Sequence, residues 1–181
     1  NSPNNPSGVM YSRDFIAEMV AFCEKRDLWL VMDDLYNRLV FDGQTAPNPY
    51  RFAEDRGDAS KLVVVQGVSK MYAMTGFRIG WAIANREVCE AMTNIQSHQT
   101  SGPVTVSQWA AIGALSGVQT SIETMRLTLE NHRNVMVERL QTIPGLRVTK
   151  PHGTFYCFPD FSAYGKSSLQ LAEFLLEKVR V

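Results

Sequence analysis

The sequence predicts an α/β fold, in which a mostly parallel sheet with flanking helices is followed by part of a smaller α+β unit. Up to about residue 118, strand-like runs alternate with helical patterns, which is typical of a parallel sheet. The run KLVVVQ (61–66) is almost wholly apolar, as expected of a strand covered on both faces. A helix–hairpin–helix pattern comes next, so we divide the chain into residues 1–118 and 119–181.

The first predicted elements are a loop, a helix and a strand. The segment NSPNNPSG (1–8) is rich in turn-forming residues. Ser12 can cap a helix that runs to about Arg26, because apolar residues recur at helical spacing. These are Phe15, Ile16, Met19, Val20 and Cys23. The segment LWLVMDD (28–34) then predicts a buried strand that ends in two carboxylates.

Two more strands and two helices are predicted in the middle of the chain. KLVVVQ is the second strand and RIGWAIA (78–84) is the third. Asn85 can cap a helix that carries apolar residues on one face, namely Val88, Met92 and Ile95. The stretch 101–117 predicts a loop and then a helix that Gly117 closes.

The remaining residues predict a long helix, a short pair of strands and a final helix. The long helix extends from about Gln119 to Gln141 and is the natural connector between the two units. The segments IPGLRV (143–148) and GTFYCFPD (153–160) predict an antiparallel pair, and the final helix begins near Ser168.

Composition excludes several classes of function. Lys plus Arg and Asp plus Glu are both 18, so the formal net charge is zero, which argues against a nucleic-acid-binding or anionic-membrane surface. No apolar run approaches the ~20 residues of a membrane span. The three cysteines are odd in number and scattered among apolar residues, and the histidines lack metal-ligand spacing. We therefore expect a reduced, cytoplasmic protein with buried thiols and no metal site.

The chain ends are those expected of an internal fragment. The first residues are polar and turn-forming, so we expect no signal peptide. The last residues, LLEKVRV, follow a helical pattern without a cap.

Charged and polar residues follow the predicted strands at the edge where ligands bind in doubly wound sheets. Asp33 and Asp34 follow the first strand, and Ser69 and Lys70 follow the second. Taken singly, such residues are usually rim ion pairs worth roughly 0–1 kcal/mol. Taken with the asparagine-rich loop and Arg78, they match pyridoxal phosphate, which needs a lysine, a carboxylate, donors to its hydroxyl and a phosphate clamp.

Three blocks carry a resemblance to a known family. NSPNNPSG resembles an N-x-P-x-N-P-[ST]-G loop, MDDLYNRLVFDG (32–43) a strand-end D-x-x-Y block, and SKMYAMTGFRIG (69–80) a cofactor-lysine block. In order and spacing the sequence resembles the fold-type I pyridoxal-phosphate enzymes, specifically the class I/II aminotransferases of the aspartate and aromatic type. The resemblance implies that residues 1–118 belong to the large cofactor-binding domain and residues 119–181 to the connecting helix and the beginning of the small domain.

The resemblance also implies a role for each matching residue. Lys70 would form the Schiff base with pyridoxal 5'-phosphate and then act as general base and acid. Asp33, rather than Asp34, would keep the pyridine nitrogen protonated, and Tyr36 would donate to the ring O3′. Lys70, Asp33 and Tyr36 are therefore the expected catalytic residues.

The remaining cofactor contacts are expected from the loop and from the third strand. Asn5 would donate to O3′ together with Tyr36. Arg78 would clamp the phosphate, with Ser69 as an added hydroxyl donor. The aromatic run Phe155, Tyr156 and Phe158 is expected to be small-domain core.

The resemblance implies transamination between an L-amino acid and a 2-oxo acid by a full-length homodimer, of which this chain is a piece not expected to be active alone. Two alternatives share the three blocks. One is a carbon–sulfur β-lyase on the same fold, and the other is the aminotransferase-like sensor module of a transcription regulator. The amino donor and acceptor stay open.

Overall fold

The structure, a computed structural model, describes all residues from 1 to 181. The α/β class predicted from the sequence is present, with two short sheets and five α-helices. The helices are α1 (Arg13–Lys25), α2 (Arg86–Gln99), α3 (Thr105–Ser116), α4 (Thr120–Gln141) and α5 (Ser168–Phe174). The strands are β1 (Leu30–Asp33), β2 (Leu62–Gly67), β3 (Gly80–Ile83), β4 (Arg147–Val148) and β5 (Pro159–Asp160). None of the helices is long and apolar enough to cross a membrane.

The main sheet has the order β1-β2-β3. Strands β1 and β2 are parallel, with Asp33 opposite Val65, so both strands end at the same edge. Strand β3 runs antiparallel to β2, with Gly67 opposite Gly80. That direction was not predicted, because an apolar run reports burial and not strand direction.

Helix α1 covers one face of the sheet. Ser12 caps it as predicted, since its hydroxyl accepts the Phe15 N–H at 3.1 Å. The helix buries Ile16 and Val20, whereas Phe15 stays exposed. They join the main apolar core with Met32, Ala53, Leu62 and Val64. This packing fixes β1 and β2, and therefore the edge where both strands end.

Two predictions are corrected away from this core. No residue of α2 is buried, although Asn85 caps it as predicted. Cys89 is consequently exposed, and Cys23 and Cys157 are only half-buried, so the expectation of buried thiols is wrong. The antiparallel pair predicted for residues 143–148 and 153–160 is present only as a two-residue pairing of β4 with β5.

The segment between β4 and β5 packs against the two loops that flank the sheet edge. Gly153 pairs with Val40 after β1, and the His152 N–H donates to the Gly8 carbonyl at 2.8 Å. Gly8 has a φ of +70°, and a Cβ there would lie 2.5 Å from Pro151. A distant part of the chain is thereby held beside the N-terminal loop and the end of β1.

Candidate active site

The candidate site lies where β1 and β2 end. Because the strands are parallel, Asp33 at the end of β1 and Lys70 after β2 leave the sheet on the same side. Lys70 lies in a turn whose flanking residues Val68 and Met71 are buried. Its turn is closed by hydrogen bonds from Tyr72 N to Val68 O and from Ala73 N to Lys70 O.

Lys70 is half-buried and takes part in none of the ion pairs of the chain. Its Nζ lies 5.8 Å from the centroid of the Phe155 ring. The Phe155 ring in turn lies 5.7 Å from that of Tyr36, at an angle of 67°. Lys70 and Tyr36 thus both lie beside the Phe155 ring. The Lys70 amine has no carboxylate partner to neutralise its charge.

Tyr36 is 3% exposed, although its hydroxyl lies among polar groups. Burial, together with the neighbouring Tyr156 hydroxyl, raises the pKa of the Tyr36 phenol well above its ordinary value. The Asn5 side chain opposes that rise in pKa and the charge of Asp33 adds to it, so both groups lie near the phenol. Tyr36 therefore stays protonated and can act as a hydrogen-bond donor.

The two adjacent carboxylates have different surroundings. Asp34 is buried, and its Oδ2 accepts hydrogen bonds from Asn37 at 2.7 Å and Gln66 at 2.8 Å. Burial raises the pKa of Asp34. Asp33 is half-buried and accepts only the Leu35 N–H, at 3.3 Å. Asp33 is therefore the carboxylate with acceptor capacity to spare, which agrees with its selection over Asp34.

Arg78 and Ser69 are the two residues expected to bind the phosphate. Arg78 is exposed, has a left-handed φ of +53°, and donates from Nη1 to the Thr75 carbonyl at 2.9 Å. It lines a cleft of about 490 Å³ between its own turn and the α2–α3 junction. Ser69 is half-buried, and its hydroxyl makes no hydrogen bond within the chain. Neither residue shares a hydrogen bond or ion pair with Lys70, Asp33 or Tyr36.

Tyr156 is the site residue that the sequence analysis missed. We expected Phe155, Tyr156 and Phe158 to form small-domain core, but Phe155 and Phe158 are exposed. The Tyr156 hydroxyl lies 3.2 Å from that of Tyr36. The expectation was wrong because residues 151–156 pack against the loops after β1 and before α1, and nothing local in the sequence reports a contact over that separation.

The donor set fits pyridoxal phosphate. It combines an amine without a salt bridge, a carboxylate with spare acceptors, a protonated phenol and an amide. An aldehyde needs such an amine, a protonated ring nitrogen needs the carboxylate, and an anionic ring oxygen needs the two donors. Arg78 and Ser69 supply donors of the type that phosphate binds.

Comparison with known proteins agrees with this chemistry. The family model described as aminotransferase class I and II matches residues 1–181. An aspartate aminotransferase of Bacillus sp. (strain YM-2) is 38% identical over 162 residues, which cover 90% of this chain and 41% of that protein. A probable aspartate/prephenate aminotransferase of Aquifex aeolicus is 35% identical over 186 residues, with 100% and 47% covered.

Solved structures of the same kind superpose closely on this chain. The aromatic aminotransferase of Pyrococcus horikoshii gives a TM-score of 0.93 at 31% identity, with 100% of this chain and 48% of that one covered. The aspartate aminotransferase of Thermotoga maritima gives 0.88 at 34% identity, with 100% and 45% covered. The chain spans less than half the length of these proteins. It belongs to the class I and II aminotransferases.

Proposed function

We propose that the protein to which this chain belongs is a pyridoxal-phosphate-dependent aminotransferase that acts on an L-amino acid and a 2-oxo acid. The environment of Lys70 carries the proposal. This amine is half-buried, faces an aromatic ring and lacks an ion-pair partner. A lysine in a structural role would normally reach a carboxylate or extend into water.

Each residue of the site would then have a defined task. When bound, pyridoxal phosphate supplies an aldehyde for covalent attachment and a ring that accepts electrons from the substrate α-carbon. Lys70 would hold the aldehyde carbon through Nζ and, once displaced, move the proton at the substrate α-carbon. Asp33 would accept the ring N–H.

The other candidate residues would bind and orient the cofactor. Tyr36 and Asn5 would donate to the ring oxygen, since the phenol of Tyr36 keeps its proton. Arg78 would bind two phosphate oxygens with its guanidinium, and Ser69 would add a hydroxyl. Arg78 would first have to give up its hydrogen bond to Thr75, which its exposure makes inexpensive.

The relatives support transfer of an amino group over the alternative reactions. Those described above are named as aspartate, aspartate/prephenate or aromatic aminotransferases. We propose a homodimer in the cytoplasm as the working form of the complete protein. The dimer is supported by α3, which exposes several large apolar side chains, including Val106 and Trp109. A contiguous exposed apolar surface of this kind commonly marks a protein–protein contact.

The test has two stages. Pyridoxal phosphate is added to the complete protein and the unbound cofactor is removed by dialysis. The absorption band that the cofactor gains when its aldehyde joins a lysine amine is then followed in the wild type, in Lys70→Ala and in Lys25→Ala. Lys25 is an exposed lysine in the last turn of α1, remote from the site, so its variant is the matched control. We expect a band in the wild type and in the control, and none in Lys70→Ala. An equal band in Lys70→Ala would refute the assignment.

The second stage identifies the reaction. The loaded protein is mixed with a panel of amino acids and 2-oxoglutarate, and glutamate is measured against pyruvate and ammonia. Transamination predicts glutamate formation that depends on 2-oxoglutarate. Pyruvate and ammonia without glutamate would instead indicate a β-lyase.

A further inference from the structure

Tyr156 joins the candidate site from a distant part of the chain, and its hydroxyl lies 3.2 Å from that of Tyr36. We propose that Tyr156 is a positioning residue for Tyr36. It donates its hydroxyl proton to the Tyr36 oxygen, and the Tyr36 proton is thereby left for the ring oxygen of the cofactor. The inference rests on the proposed function and adds a residue to the same site.

The rings of this cluster restrict Tyr36 to one orientation. The Tyr36 and Tyr156 rings meet edge to face, with centroids 6.1 Å apart at an angle of 73°. Phe155 packs against both, 5.7 Å from Tyr36 and 4.6 Å from Tyr156. Aromatic pairs at these distances and angles are favourable beyond the area they bury. Packing of the Tyr36 ring therefore fixes the direction in which its hydroxyl points.

The backbone around Tyr156 is held in an unusual conformation. Thr154 is wholly buried and has a φ of +69°, which is rare for a β-branched residue. Its N–H donates to the Leu39 carbonyl at 2.9 Å, and its Oγ1 accepts the Tyr156 N–H at 3.2 Å. The Leu39 N–H in turn donates to the Tyr36 carbonyl at 2.8 Å. Backbone strain of this kind persists where the surrounding structure enforces it, commonly at functional sites.

The direction of the hydrogen bond follows from counting protons. A phenol has one proton to donate, and Tyr36 keeps its proton because burial raises its pKa. If Tyr36 donated to Tyr156, it would have none left for a ligand. A hydroxyl that accepts one hydrogen bond also becomes a stronger donor in the next. The other polar groups facing Tyr36 are the Asn5 amide and the Asp33 carboxylate, and Lys70 reaches the shared Phe155 ring.

The test is a pH titration of the visible band of pyridoxal phosphate bound to the complete protein. The variants are Tyr156→Phe, Tyr36→Phe and the double variant, each of which keeps the aromatic ring. Tyr164→Phe is the matched control, because the Tyr164 hydroxyl also donates a hydrogen bond, to the Pro144 carbonyl at 2.7 Å, outside the site. Equal thermal midpoints of the four variants and the wild type establish that packing is intact.

Donors to the ring oxygen favour the form of the bound cofactor in which that oxygen is most negative, so weaker donors raise the titration midpoint. We expect Tyr156→Phe to raise the midpoint by about half a pH unit, as one cooperative neighbour of a charged hydrogen bond should. Tyr36→Phe should raise it further, the double variant should equal Tyr36→Phe, and the control should not move it.

The outcomes separate this inference from the proposed function. A wild type without a Lys70-dependent band would overturn both. A band whose midpoint is the same in Tyr156→Phe and in the wild type would overturn the role of Tyr156 alone. Equal shifts from Tyr156→Phe with and without the Tyr36 hydroxyl would also overturn it, because Tyr156 would then act without Tyr36.

Discussion

The ion pair of Asp42 with Arg133 links α4 to the loop that follows Tyr36. We expect its removal to lower the free energy of unfolding measurably. The Arg133 side chain is 3% exposed, and its Nη1 and Nη2 donate to the two Asp42 oxygens at 2.8 Å each. Nη1 also donates to the Pro151 carbonyl at 2.7 Å, and the guanidinium lies 4.8 Å from the Phe41 ring centroid. Asp42→Asn keeps the shape of the side chain and removes its charge.

The expected loss can be worked from this geometry. Removing one partner of a buried pair typically costs about 3–5 kcal/mol, because the other charge stays buried. Two features reduce the loss here: the Asp42 side chain is 37% exposed, and Glu130 remains 3.6 Å from Arg133. We therefore expect Asp42→Asn to lower the free energy of unfolding by about 2–3 kcal/mol.

The assay is urea unfolding at neutral pH, with Asp27→Asn as the control. Asp27 pairs with Lys61 at 2.6 Å and, like Asp42, has a left-handed φ, but its side chain is 85% exposed. Its loss should be at most about 1 kcal/mol. Equal losses in the two variants would refute the claim that burial of Arg133 sets the magnitude.

The same pair predicts a pH dependence. The hydrogen bond from Arg133 lowers the pKa of Asp42 to about 2. Because the folded-state pKa lies below the ordinary ~3.9, the contribution is complete above about pH 4 and is lost as the pH falls through about 2. A shift of nearly two units equals about 2.5 kcal/mol, which partial exposure reduces to about 1.5 kcal/mol. Asp42→Asn should lack this acid-sensitive component.

Three further predictions concern the core, the first helix and the strand edge. Ile16→Ala, which empties a site 1% exposed in the main core, should lower the free energy of unfolding by about 2–5 kcal/mol in urea titrations, and the exposed Phe15→Ala by under about 1 kcal/mol. Ser12→Ala should cost about 1 kcal/mol through loss of the Phe15 N–H cap, with no change in the m-value. In the complete protein, Asp33→Asn should reduce the kcat of the proposed transamination far more than it reduces stability. Asp34→Asn should instead reduce stability more than it reduces kcat, because the buried Asp34 carboxylate accepts hydrogen bonds from the half-buried Gln66 and Asn37 amides.

Much of the fold could be predicted from local signals in the sequence. Ser12 and Asn85 cap the helices predicted to follow them, because a cap depends only on its own next turn. Strands β1 and β2 were predictable because their apolar runs are bounded by charged and turn residues. The motif blocks placed Lys70, Asp33 and Tyr36 at one edge, where the parallel pairing of β1 with β2 brings them.

Long-range packing accounts for what the sequence did not show. The connection from Val68 to Ile79 contains only a short 3₁₀ turn and no crossover helix, so β3 returns antiparallel to β2. Cys89 is exposed because no other part of this chain covers α2. The apolar pattern of α2 by itself does not show whether another element packs on the helix. Tyr156 lies at the site because residues 152–154 form backbone hydrogen bonds with Gly8, Leu39 and Phe41. The pattern of apolar and polar residues does not predict these long-range hydrogen bonds.

Chemical trapping of the bound cofactor tests the central claim, that Lys70 is the point of attachment, most directly. The complete protein is loaded with pyridoxal phosphate, reduced with borohydride, digested with trypsin and analysed by mass spectrometry. A modified Lys70 resists cleavage, so the adduct should appear on the peptide that runs from residue 62 to residue 78. An adduct on other lysines, with unmodified cleavage after Lys70, would contradict the assignment of the site.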